Sequence, residues 1–191
     1  VGRNTAACIG LAALHIQKKA KDDVMVVLPS DHAIGNPEKY RAVISAAARA
    51  AERENALVTI GIQPDGPHTG FGYLEGGSSA GKITGQKILE VKSIREKPDI
   101  RKAKEFVKKG NFFWNSGMFV WKTSVILSEI KSYLPDLHAG LMTIKEALEK
   151  PTEAKTVEKI YRKLVSISID YGVMEKAKHV FVLPAEFGWS A

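Results

Sequence analysis

Hydrophobic positions along the chain switch between the two periods that mark helices and strands. Between Thr5 and Lys19, Ile9, Ala12, Ala13 and Ile16 share one face at helical spacing, with Thr5 as a candidate N-cap. Asp22 and Asp23 then lead into Val24-Met25-Val26-Val27-Leu28, a continuous apolar run of the kind a parallel sheet buries on both faces. Asn36, followed by Pro37 and Glu38, starts a second helix that runs to Arg53 and keeps Tyr40, Val43, Ile44 and Ala47 together. A second apolar strand follows at Leu57 to Ile62. Strand, helix and strand in this order predict a right-handed βαβ unit. That unit implies an α/β fold with an open, mostly parallel sheet and helices on both faces.

From Gln63 to Lys97 the texture changes to Gly-rich turns between short strands, with Phe71 to Leu74 and Ile88 to Ile94 as the β segments of a small antiparallel portion. Asp99 caps a helix to Lys109, and Phe112 to Trp121 reads as a strand interrupted at Asn115-Ser116-Gly117. Three helices follow, at Ser124 to Tyr133, Leu137 to Glu149 and Thr152 to Leu164, then a short helix at Tyr171 to Lys176 and a strand at Val180 to Leu183.

With 191 residues, 45% of them hydrophobic, the chain can bury the core of one α/β domain. The formal charge of +7 suits an anionic partner, yet Lys and Arg are interspersed with acidic residues along the helices. No run alternates basic and aromatic residues as a single-strand binding surface requires, so a phosphorylated small molecule is expected rather than nucleic acid. The single cysteine, Cys8, lies among apolar residues and is expected to be buried. No apolar run near the start reaches the length of a membrane span or a signal-peptide core, and a cytoplasmic location is expected.

Ligands of open parallel sheets bind beyond the carboxyl ends of the strands, which singles out Asp31 after the first strand. It is either a carboxylate that holds Mg²⁺ against phosphate oxygens or a residue of an ordinary Pro-Ser-Asp turn. Glu96-Lys97-Pro98 follows a strand and precedes a helix. Glu96 can accept from sugar hydroxyls and Lys97 can pair with a phosphate, or the triplet is a charged surface turn. Asn115-Ser116-Gly117 marks either a bulge at a ligand or a turn between short strands, and Gly70-Phe71-Gly72-Tyr73 poses the same choice. Arg3-Asn4-Thr5 stands at a helix start, where free N–H groups can bind a base or an anion. The five histidines show no zinc-ligand spacing, and no Ser-His-Asp set can be assembled from strand ends.

Taken in order, Gly2 to Ala6, Leu28 to His32, Val58 to Ile62, Gly70 to Tyr73, Glu96 to Asp99, Trp114 to Phe119, and Ser168 to Tyr171 with Val173 to Glu175 resemble the mannose-1-phosphate guanylyltransferase family over nearly the whole chain. The resemblance implies a Rossmann-like fold of the nucleotidyltransferase type and transfer of GMP from GTP to mannose 1-phosphate, giving GDP-mannose and pyrophosphate. It places Arg3, Asn4 and Thr5 near the guanine nucleotide and makes Asp31 a Mg²⁺ ligand. By the same carry-over Gly72, Glu96 and Asn115 contact the mannose, Lys97 neutralises its phosphate, and Asp170 belongs to the substrate site. No membrane or nucleic-acid partner is implied, and a homo-oligomer is expected.

Two departures stand out. The family's Gly-rich phosphate loop, Gly-x-Gly-x-Arg-x-x-Pro, and the strand before it are not present, so residues 1–191 read as one partial nucleotidyltransferase domain, truncated at both ends and expected to be inactive alone, with strand edges left uncovered. Ala191 stands where the family's Trp-Ser-Asp carries its second metal ligand. The alternatives are a non-catalytic sugar-nucleotide sensor or regulatory subunit, a pyrophosphorylase of another specificity, and a glycosyltransferase.

Overall fold

The computed structural model describes residues Val1–Ala191. Its strands are β1 (Val24–Val27), β2 (Ala33–Ile34), β3 (Leu57–Ile62), β4 (Tyr73–Ile83), β5 (Gln86–Arg95), β6 (Phe112–Lys122), β7 (Val180–Ala185) and β8 (Trp189–Ser190). The helices are α1 (Asn4–Lys19), α2 (Pro37–Glu54), α3 (Ile100–Lys109), α4 (Thr123–Tyr133), α5 (Pro135–Ala147) and α6 (Glu153–Lys163), with a π-helical turn at Asp170–Met174. Two compact units form, one from Val1–Met25 with Lys122–Ala177 and one from Val26–Trp121 with Lys178–Ala191. No helix is long and apolar enough to cross a membrane.

The α/β class agrees with the sequence expectation, and the antiparallel portion expected at Phe71 to Leu74 and Ile88 to Ile94 is present as β4 and β5, within the main sheet rather than apart from it. The main sheet has six strands in the order β1-β6-β3-β7-β5-β4, while β2 and β8 form a small separate sheet. The main sheet is mixed, which corrects the expectation of a mostly parallel one. β3 and β7 pair in parallel, and β3–β6, β4–β5, β4–β6 and β5–β7 pair antiparallel. The crossover through α2 skips a strand, because β6 returns alongside β3 and separates it from β1.

All six residues of β3 are buried, which accounts for its unbroken apolar run between β6 and β7. Its one hydroxyl, Thr59, donates to Met118 O at 3.2 Å. β1 departs from the expectation of burial on both faces: it lies at the sheet edge, with Val26 38% and Leu28 47% exposed. Helix α2 starts as predicted, with Asn36 Oδ1 accepting from Lys39 N at 2.9 Å, and it buries Val43, Ala46, Ala47, Ala50 and Ala51. Asp99 caps α3 by accepting from Lys102 N, and the Lys102 N–H holds its carboxyl below the usual carboxylate range.

The Gly-rich stretch read as turns between short strands is one long hairpin. β4 and β5 join through Thr84-Gly85, both at positive φ, which is the two-residue geometry that matches strand twist. Register shifts at Glu75/Gly76, Gly76/Ser79 and Ser79/Gly81 absorb the glycines as bulges within β4.

In the other unit α1 packs on α4 and α5, and α5 on α6. Gly10 lets α1 approach closely, since a Cβ there would stand 2.5 Å from Leu141 Cδ1. Two expectations are corrected. Thr5 is not the N-cap of α1; the cap position falls at Arg3, and the Thr5 hydroxyl accepts from Ile169 N at 2.8 Å instead. Cys8 is exposed, because the buried face of α1 is Ala6, Ala7, Ile9, Gly10, Ala13 and Leu14. Helix α4 takes its cap from outside the helix, with Asp22 Oδ1 accepting from Ser124 N at 2.9 Å and Lys122 Nζ 3.1 Å from Oδ2. Burial pushes the Asp22 carboxyl up, but the Ser124 and Lys122 interactions outweigh it and leave the group below its ordinary value.

Candidate functional site

Within the unit of Val26–Trp121 and Lys178–Ala191, the polar break in β6 is a bulge. Thr59 pairs with Phe119 but Gly61 pairs with Asn115, so two steps on β3 are matched by four on β6. The extra residues are held from below. Ser116 Oγ donates to Ile60 O at 2.7 Å and accepts from Met118 N, and Asn115 Oδ1 accepts from Gly117 N at 3.2 Å. Gly61 permits this geometry, because a Cβ there would stand 2.8 Å from Phe113 Cβ and 2.6 Å from Val182 Cγ2.

The bulge, the segment before β4 and the end of β5 meet at one place. Asn115 N donates to Gly72 O at 2.8 Å, and the Glu96 carboxylate occupies the space above Gly72 where a side chain would start. Asn115 Cβ lies 3.4 Å from the same point. Gly72, Glu96 and Asn115 therefore form one cradle. Lys97 stands at its rim, with Nζ 3.9 Å from Glu96 Oε1, a side chain 63% exposed and a φ of +41°. A non-glycine residue in that region carries backbone strain of about 1–3 kcal/mol, which clusters at ligand sites.

Asp31 is exposed in the segment between β1 and β2. Pro29 of the same segment lies beside the bulge, its Cγ 3.4 Å from where a Cβ on Gly117 would stand. His32 accepts at Nδ1 from Trp189 Nε1 at 3.0 Å. Burial holds the His32 imidazole below its ordinary range, against the opposing effect of the Asp31 carboxylate. The ring is therefore neutral at neutral pH, and the Trp189 bond leaves its proton on Nε2. Pairing of β2 with β8 sets Ala33 against Ser190 and Ile34 against Trp189, so the register carries residue 191 opposite His32.

Arg3, Asn4, Thr5 and Asp170 belong to the other unit, where the start of α1 meets the π-helical turn. Arg3 donates to Arg162 O at 2.9 Å and to Gly2 O at 3.1 Å, while its Nε is buried without a partner. Asn4, at a φ of +62°, accepts from Thr5 N at 2.8 Å. Ala6 N donates to Ile167 O, so this helix start spends two of its first N–H groups within the chain.

Sequence reading did not single out the aromatic side chains around the cradle. Phe71 lies 5.0 Å from Trp114 and 5.1 Å from Trp189 between ring centroids, and His68 sits 5.1 Å from Trp114. The available signal was adjacency: Phe71 precedes Gly72, Trp114 precedes Asn115 and His32 follows Asp31.

Comparison with known families supplies the class of this α/β chain. The chain belongs to the nucleotidyl transferase family, whose model matches residues 1–164. It is 37% identical over 192 residues to a mannose-1-phosphate guanylyltransferase of Sinorhizobium fredii, covering 100% of this chain and 36% of that protein. An alginate biosynthesis protein of Pseudomonas fluorescens is 36% identical over 190 residues, with 99% of this chain and 39% of the relative covered. Among solved structures, a Thermus thermophilus protein described as a mannose-1-phosphate geranyltransferase matches at 32% identity and a TM-score of 0.87, over 100% of this chain and 52% of that one. The chain thus spans about two fifths of the length of the curated relatives it matches, 39% for the first of them.

Proposed function

We propose that the protein containing this chain transfers GMP from GTP to mannose 1-phosphate, giving GDP-mannose and pyrophosphate with Mg²⁺ as cofactor. The observation that carries the reading is the Gly72–Glu96–Asn115 cradle with Lys97 at its rim. A hydroxyl-rich ring fits between a carboxylate, which accepts from hydroxyls, and an asparagine amide, which can both donate and accept. The Lys97 ammonium is a compact charge for the sugar phosphate. Family membership and the guanylyltransferase relatives support the reaction type and the choice of sugar.

The reaction requires a mannose 1-phosphate oxygen to attack the α-phosphorus of GTP as the bond from that phosphorus to the bridging oxygen of the β-phosphate breaks. Pyrophosphate leaves with the bridging oxygen. The nucleophile is already an anion, so the residues act by positioning and neutralising charge rather than by removing a proton. Glu96 and Asn115 orient the sugar, and Lys97 offsets repulsion between the two phosphate groups. Arg3, Asn4, Thr5 and Asp170 are assigned to the nucleotide and substrate side of the reaction.

No three His, Cys, Asp or Glu side chains gather as a metal site. Mg²⁺ takes much of its octahedral shell from water and substrate phosphates and needs only one or two carboxylates, and exposed Asp31 at a strand end fits as one of them. When bound, the ion neutralises phosphate charge. The register of β2 and β8 brings position 191 toward the same segment, and alanine there adds no ligand.

Nucleotide choice tests the reading. Pyrophosphate release by the full-length protein with mannose 1-phosphate and Mg²⁺ is expected from GTP. Release from UTP or dTTP with none from GTP would overturn the guanylyl assignment.

A further inference from the structure

We infer that Trp189 is a positioning residue that couples the Asp31 segment to the sugar cradle; this rests on the reaction proposed above. One indole touches the immediate chain neighbours of three site residues. Its N–H donates to His32, next to Asp31, at 3.0 Å, and its ring meets Phe71, next to Gly72, at 5.1 Å and Trp114, next to Asn115, at 6.4 Å.

Its backbone is fixed independently of these contacts. Gly35 N donates to Gly188 O at 2.6 Å, Asn36 N donates to Phe187 O at 2.8 Å, and the two-residue sheet pairs Ile34 with Trp189. Gly188 turns the chain at a φ of +65°, and a Cβ on it would stand 3.3 Å from Gly35 Cα. The segment is zipped to residues 33–36 by main-chain bonds, so the indole is not needed to anchor it. Instead the indole spans from that anchor to the rings flanking the cradle, and it is half-buried rather than sealed in the core. An indole serves this purpose because its apolar body packs on aromatic rings while its single donor fixes one acceptor.

The His32 bond is therefore the metal-side arm and the Phe71–Trp114 contact the sugar-side arm. Removing the donor alone should loosen the Asp31 segment and leave the cradle intact. Removing the whole ring should disturb both.

The test measures binding of GDP-mannose to the full-length protein by calorimetry, with and without Mg²⁺, alongside the KM for mannose 1-phosphate. Trp189→Phe keeps a ring and loses the donor. It is expected to lose several-fold of the tightening that Mg²⁺ gives, with metal-free affinity within about twofold of the wild type. His32→Phe should do the same, the double variant should be no worse than either single, and His32→Asn, whose amide oxygen can accept in place of Nδ1, should recover most of the loss relative to His32→Phe. Trp189→Leu should in addition weaken metal-free binding and raise the KM. Equal losses with and without Mg²⁺, multiplicative effects in the double variant, or wild-type behaviour of Trp189→Phe would each overturn the inference. Wild-type protein that binds no GDP-mannose would instead defeat the proposed function, and that is seen before any variant is made. A merely structural role would lower the melting temperature without changing the Mg²⁺ dependence.

Discussion

The carboxylate of Glu96 fills the space in which a side chain on Gly72 would begin. Gly72 is not among the positive-φ residues, so its backbone accepts alanine, and the methyl group displaces the Glu96 carboxylate while making ordinary contact with Asn115 Cβ at 3.4 Å. Gly72→Ala is expected to reduce kcat/KM for mannose 1-phosphate on the order of a hundredfold, as ligand misplacement of about an ångström does. Steady-state kinetics with a parallel thermal melt checks this. Unchanged kinetics would show that the cradle does not hold the sugar.

Lys97 combines strain with charge. Its left-handed φ of +41° is relieved by glycine, so Lys97→Gly is expected to stabilise the fold by about 1 kcal/mol while weakening use of mannose 1-phosphate. Lys97→Met should weaken that use equally without the gain in stability. The pair with Glu96 is long, at 3.9 Å, and its Lys97 side is solvent-exposed, so it adds little to folding and does not obscure the comparison. Chemical denaturation and kinetics on both variants separate the two effects.

How far the site could be read from sequence depended on the range of the contact involved. Asn36 and Asp99 were readable as caps because each bonds to an N–H three residues away. The bulge at Asn115-Ser116-Gly117 was suggested by polar residues in an apolar strand, and Glu96 and Lys97 by their place after a strand. The Trp189–His32 bond links residues 157 apart in sequence and leaves no periodicity to read. Thr5 looked like a cap because its hydroxyl suits one, but Ile169 N, 164 positions away, takes that hydroxyl in the fold. Glycines concealed the β4–β5 hairpin, since the same residues that allow turns also allow bulges within a strand. The skipped strand in the crossover was not readable because strand order depends on long-range pairing.

Asp22 gives a pH-dependent readout of the fold that is independent of the site. Its folded carboxyl titrates below the ordinary value, so its stabilising effect is fully present above that value and is lost as pH falls through the lowered one. Asp22→Asn keeps an oxygen that can accept from Ser124 N and loses only the charge, so it is expected to be less stable than the wild type near neutral pH by about 0.5 kcal/mol, the size of an exposed charge at a helix start. The difference should close in acid. Thermal melts of both proteins across pH measure it, and a gap that persisted at low pH would mean that the charge is not what caps α4.

Asp31 is exposed and lies outside the core, so Asp31→Ala should leave the melting temperature near that of the wild type. Turnover that depends on Mg²⁺ should fall by orders of magnitude. Rates unchanged across a Mg²⁺ titration would remove Asp31 from the site.

Following labelled phosphorus through one reaction tests the central claim most directly. The full-length protein is given mannose 1-phosphate, Mg²⁺ and GTP labelled in separate samples at the α- and γ-phosphorus, and the products are resolved by chromatography. Transfer of GMP predicts that α-label appears in GDP-mannose and γ-label in pyrophosphate, in equal molar amounts. Label recovered only as GMP, GDP or inorganic phosphate, with no sugar nucleotide formed, would contradict it.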